Sequence, residues 1–99
     1  MKFRILKIAE AELDEAIRYY ENQEPGLGMR FLGEVSHAFG RIMEFPIAYP
    51  AVRKRTRRCI VATFPYSILY NYTETPEQFL VVAIAHLQRQ PNYWYSRRE

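Results

Sequence analysis

The chain has 99 residues, 48% hydrophobic and 25% charged, enough for one domain over residues 1–99 with a single modest core. No apolar run approaches the ~20 residues of a membrane helix, and the N-terminal residues mix charge into their apolar positions as no signal peptide does. The lone Cys59 excludes an intrachain disulfide and fits a cytoplasmic protein, and His37 and His86 are too far apart for metal spacing, so no metal or cofactor is expected.

The net charge of +3 is unevenly spread. Residues 1–49 hold six Lys/Arg and eight Asp/Glu, whereas residues 50–99 hold eight Lys/Arg and three Asp/Glu. The basic half is either a solvated face or a surface for an acidic partner or phosphates.

Lys2 to Ile8 alternates and reads as a strand. Ala9 to Glu24 reads as a helix whose apolar stripe is Ala9, Leu13, Ala16, Ile17 and Tyr20. Glu10, Glu12, Asp14, Glu15 and Arg18 take the remaining positions. Pro25-Gly26 stops it, and a second helix follows over Leu27 to Glu44 with a stripe from Phe31 to Met43. The short link makes the pair an antiparallel hairpin. His37, on the second helix with no other ligand nearby, reads as a surface residue.

Phe45 to Pro50, with two prolines, is a connection. Arg53 to Arg58 carries five positive charges in six residues and reads as a solvated loop or a charged edge strand. It leads into a β-type run, Cys59 to Thr63. Beyond the Phe64-Pro65 turn, Tyr66, Ile68, Tyr70 and Tyr72 share one face of a strand, with Ser67, Leu69 and Asn71 on the other. Thr73 to Glu77 is a hairpin link. Phe79 to Ala85, apolar throughout, reads as a strand at the sheet's centre, covered on both faces. The tail from Pro91 to Arg98 is expected to dock Tyr93, Trp94 and Tyr95 on the sheet as a short C-terminal helical segment, either a helical turn or a short helix.

The order is β-α-α-β-β-β. It predicts an α+β fold in which a helical hairpin packs on one face of a mostly antiparallel four-stranded sheet. The other face is expected to be relatively open and lined by tyrosines and arginines.

Three signals in this order resemble the RelE/ParE superfamily of type II toxin–antitoxin modules, also called plasmid-stabilisation proteins. They are Pro65-Tyr66 opening a strand that contains Tyr70, an apolar last strand ending in Ala85-His86, and Arg89 followed by Tyr93-Trp94. The resemblance implies a growth-arresting toxin neutralised by a cognate antitoxin. RelE-like members cut messenger RNA on the ribosome; ParE-like members bind and poison DNA gyrase.

Carried onto this chain, the ribonuclease pattern puts Arg89 at its late arginine and Tyr95, or Tyr93, at its tyrosine. Arg58 stands for a basic residue on the preceding strand. Ser67 stands where that pattern has an arginine, and Ile60 where it has a lysine. His86 is chemically suited to general acid–base work, or else ends its strand by bonding backbone or Tyr66. His86-x-x-Arg89 followed by Trp94 is nearer the ParE-like branch.

The first reading is therefore a ParE-like toxin that meets a protein target through Tyr66, Arg89, Tyr93 and Trp94. The alternatives are a metal-independent endoribonuclease using Arg58, His86, Arg89 and Tyr95, and a non-toxic adaptor that keeps only the fold. Arg53, Arg55, Arg57 and Arg58 are expected to meet acidic side chains of the antitoxin. No membrane partner is expected.

Overall fold

The computed structural model describes residues 2–98; Met1 and Glu99, the outer bounds of the expected domain, lie outside the described residues. Helix α2 (Leu27–Glu44) forms where the apolar spacing places it, whereas helix α1 (Lys7–Gln23) begins two residues before the expected Ala9 and takes Lys7 and Ile8 from the expected first strand, which ends at Ile5. Ala9 and Ala16 of α1 and Phe31, Val35, Ala38 and Ile42 of α2 are buried, while His37 lies exposed beside Glu34.

The link between the helices is built by two glycines and one carboxylate. Gly26 turns the chain at φ +90°, where a side chain would be strained. A Cβ on Gly28 would stand 2.6 Å from the Ile17 carbonyl oxygen, so only glycine lets the helices approach this closely. Glu21 of α1 accepts hydrogen bonds from the Gly26 N–H (2.9 Å) and the Gly28 N–H (3.0 Å), placing a negative charge on donors that the first turn of α2 leaves open.

The sheet has five strands: β1 (Lys2–Ile5), β2 (Ala51–Arg53), β3 (Thr56–Ile60), β4 (Tyr66–Glu74) and β5 (Glu77–His86). Their order is β1-β5-β4-β3-β2, with β1 parallel to β5 and all other pairs antiparallel. The α+β architecture and the helical hairpin are as the element order implies. The fifth strand, β2, leads into the arginine-rich segment and shares only Arg53 with it; that segment turns the chain back as β3, and the short β2 closes the sheet's edge. The β-type run expected over Cys59 to Thr63 begins earlier, at Thr56, because Thr56 to Ile60 is the stretch that finds β4 as a partner.

Strand β5 lies between β1 and β4 and carries the irregularity that shapes both faces. Leu69 pairs with Ala83 and Tyr70 with Val81, so Val82 is an extra residue in the ladder. Val81 and Ile84 enter the core beneath the helices, together with Ile68, Tyr70 and Phe79. Val82 and Ala83 both belong instead to a second cluster with Leu69 and Trp94. That cluster corrects the expectation of an open second face. Trp94, 6% exposed, covers its centre. The tail that carries Trp94 is a run of turns over residues 91–96, which is the helical-turn form of the expected segment and not a full helix. Its bonds, Tyr95 N–H to the Asn92 carbonyl (3.2 Å) and Arg97 N–H to the Trp94 carbonyl (3.0 Å), span three residues, as in a single tight turn.

Candidate functional site

His86 ends β5 opposite Tyr66, and the chain then turns sharply. Leu87 N–H donates to the Pro65 carbonyl (2.9 Å) and Arg89 N–H to the His86 carbonyl (3.0 Å). Within that turn His86 Nδ1 accepts the Gln88 N–H at 3.0 Å, which leaves the ring proton on Nε2. The imidazole meets Tyr66 edge-on at 5.1 Å. His86 thus ends its strand with Nδ1 engaged and with no bond to Nε2 among the described residues.

A groove of about 150 Å³ starts here and is lined by His86, Arg89, Arg58, Ser67 and Tyr95, with Val52 and Leu87 among its apolar walls. It joins the end of β5 to the arginine-rich hairpin. Arg58 is exposed, and its side chain has no hydrogen bond or ion pair among the described residues. Ser67 is buried, so no cation rises from its position on β4. Tyr95 is 43% exposed, with the Arg53 guanidinium 3.8 Å above its ring.

Arg89 is held on two sides. It lies 3.7 Å over the Tyr93 ring, and its Nη1 is 3.4 Å from Glu12 Oε2. Its side chain remains 53% exposed. Behind it, His86 and Arg89 also border a recess of about 180 Å³ with Glu12, Glu15, Tyr19 and Tyr66. One His/Arg pair therefore separates an acidic concavity from a basic one.

Residues 3–91 match the family model described as the ParE toxin of the type II toxin–antitoxin system parDE. The chain belongs to the ParE toxin family. A chain from the chromosomal ParDE TA system of P. aeruginosa has a similar fold, with a TM-score of 0.75 and 13% identity, covering 89% of this chain and 97% of that one. No curated protein sequence is a significant match.

In this ParE-family chain the residues singled out from sequence lie in several distinct places. Arg58, His86, Arg89 and Tyr95 share the groove. Arg53 and Arg55 line a recess of about 190 Å³ beside it, beyond Trp94 and Tyr95. Arg57 is separated from these. It faces the helix side and donates to the Tyr49 carbonyl (2.6 Å) and the Ile47 carbonyl (3.3 Å), pinning the two-proline loop. Tyr66 packs against Phe31 and Tyr20 in the helix-side core; Trp94 packs in the opposite one. The Tyr93 hydroxyl donates to Glu12 Oε2 at 3.0 Å, and burial, with the Glu12 charge, pushes its pKa up to about 12. Tyr93 is fixed and neutral.

Glu12 and Arg97 are the residues that sequence reading missed. Arg97 clasps Glu12 with two nitrogens (2.8 and 2.9 Å), and the two side chains are only 10% and 13% exposed. Glu12 Oε1 also accepts the Ile84 N–H (3.1 Å), while Arg97 Nη1 donates to the Val82 carbonyl (3.0 Å). Strand β1 ends at Ile5, and Leu6 N–H makes the last bond, to the Val81 carbonyl. The Glu12–Arg97 pair takes up the β5 edge from there, in place of further strand, and ties down the tail. The signal was present in the sequence. Glu12 lies between Ala9 and Ala16 at helical spacing, so its carboxylate interrupts the buried stripe of α1.

Proposed function

We propose that this ParE-family protein arrests growth by binding a protein target such as DNA gyrase, and that a cognate antitoxin neutralises it. The state of the groove's polar groups carries this reading. His86 Nδ1 is occupied by the Gln88 N–H, Tyr93 is locked on Glu12, and Ser67 offers no charge. What remains outward-facing is a set of donors, Arg58, Arg89 and His86 Nε2, suited to gripping a partner. Exposed Arg58 and Arg55, with Arg53 beside Tyr95, suit the acidic side chains of an antitoxin segment; Arg57, engaged by the loop, does not.

Purified protein is expected to block gyrase supercoiling or trap cleaved DNA, with the Arg89→Ala variant impaired. Untouched gyrase at high molar excess would sink this reading. Replacing Arg53, Arg55 and Arg58 by serine should weaken antitoxin binding, most at low salt; unchanged affinity would remove the electrostatic part.

A second reading, a metal-independent endoribonuclease, is favoured by one observation. Arg58, His86, Arg89 and Tyr95 line a single groove. Mapped mRNA cuts that vanish in His86→Ala would support it, and intact transcripts during growth arrest would reject it.

A further inference from the structure

Two recesses meet at Tyr95 and Trp94. Thirteen residues line the first and nine the second, and none of them is Asp or Glu. Arg58 and Arg89 face the first; Arg53, Lys54 and Arg55 face the second. The side chains of Lys54, Arg55 and Arg58 make no hydrogen bond or ion pair among the described residues. Glu12 offsets Arg89 and Arg97, but Lys54, Arg55 and Arg58 have no such counter-charge among the described residues, and like charges held close raise each other's free energy, which an anion with several charges in a row relieves.

The recesses, about 150 and 190 Å³, are each below the ~300 Å³ of a small-molecule pocket. They suit successive groups of a chain better than one compact ligand. Between them stands the Tyr95 ring, 43% exposed, with the Arg53 guanidinium carbon 3.8 Å from its centroid and the Trp94 ring at 4.7 Å in an edge contact, a cationic aromatic platform of the kind that takes a nucleobase. A run of Asp and Glu alone would use the arginines but leave the platform unfilled.

We infer that this face binds a single DNA strand, its phosphodiester groups in the two recesses on either side of a base stacked on Tyr95. The choice of DNA over RNA rests on the gyrase reading above, since a protein that holds gyrase at its substrate would lie beside DNA. The strand-binding geometry does not depend on that reading.

Fluorescence anisotropy of a labelled oligothymidine of about a dozen nucleotides, titrated with purified wild-type protein across a salt series, tests the inference without gyrase. Affinity should fall with salt, and Arg55→Ser with Arg58→Ser should lower the slope of log Kd against log salt by about 0.7 per arginine removed. Tyr95→Ala should weaken binding about fivefold or more with the slope unchanged, and Tyr95→Phe should restore it. All three positions are exposed, so the variants should fold, as circular dichroism would verify. No salt-dependent binding, indifference to Tyr95→Ala, displacement by polyglutamate as readily as by oligothymidine, or a tenfold preference for oligouridine RNA would each overturn it. Gyrase inhibition that persists when strand binding is absent separates failure of this inference from failure of the gyrase reading.

Discussion

The two faces of the sheet are held by different physics. Under the helices, Phe31, Val35, Ile42, Ile68, Tyr70, Phe79 and Val81 are all nearly inaccessible, and the one polar atom deep among them, the Tyr70 hydroxyl, donates to the Pro46 carbonyl at 2.7 Å. On the opposite face the apolar part is small: Leu69, Val82, Ala83 and Trp94. Beside it, along the β5 edge, a single carboxylate from α1, Glu12, gathers Arg97, Tyr93, Arg89 and the Ile84 N–H and ties the covering tail down. An apolar core loses stability in proportion to what is cut out of it. A polar clasp contributes little net while complete and costs a great deal once one member is missing.

The sharpest way to break this comparison is one deletion on each face. Phe31→Ala, at a position with no exposure and ring contacts to Tyr20, Phe64 and Tyr66, should cost about 3–5 kcal/mol and lower the single unfolding transition. Glu12→Ala strands Arg97 and the Ile84 N–H and should cost about 3 kcal/mol despite removing almost no apolar surface. The losses should differ in place as well as size. Hydrogen exchange should accelerate throughout the chain in Phe31→Ala, but first around Ile84 and residues 91–98 in Glu12→Ala. Arg97→Ala added to Glu12→Ala should cost much less than Arg97→Ala alone, because the partner charge is already gone. Strict additivity would mean that the pair is not a clasp.

The same contrast explains what was legible in the sequence. Helix α2 matched its apolar spacing at both ends, Leu27 and Glu44, because Gly26 and the Phe45-Pro46 pair mark the boundaries locally. Tyr66, Ile68, Tyr70 and Tyr72 fell on the helix side as period-two alternation requires. Strand β2 was not legible, since Ala51–Arg53 is three largely exposed residues that are a strand only because β3 lies beside them. Nor was the extra Val82, since a continuous apolar run hides where its alternation slips. At the candidate site, the family resemblance singled out His86, Arg89, Tyr95 and Arg58, and all four joined one groove. Arg57 did not, because one residue's difference along β3 points it to the other face. Glu12 and Arg97 stand 85 positions apart, and their pairing is a product of tertiary structure alone.

The smallest expected effect is also the most selective. Burial raises both Tyr70 and Tyr93 to about 12, but at Tyr93 the Glu12 charge and hydrogen bond add to it, whereas at Tyr70 the nearby Arg57 charge works against it. Both folded values exceed the ordinary value of about 10 of an unfolded chain. Their stabilising contribution is therefore complete below about pH 10 and is lost as pH rises from there through about 12. Tyr93→Phe should flatten the fall in stability across that window at the tail, as followed by alkaline unfolding and by exchange at residues 91–98. Glu12→Gln should bring Tyr93 ionisation to lower pH by removing the adjacent negative charge, and leave Tyr70 where it is. If both tyrosines moved together in Glu12→Gln, the two faces would be coupled through the sheet rather than held separately, and the contrast between apolar core and polar clasp would have to be given up.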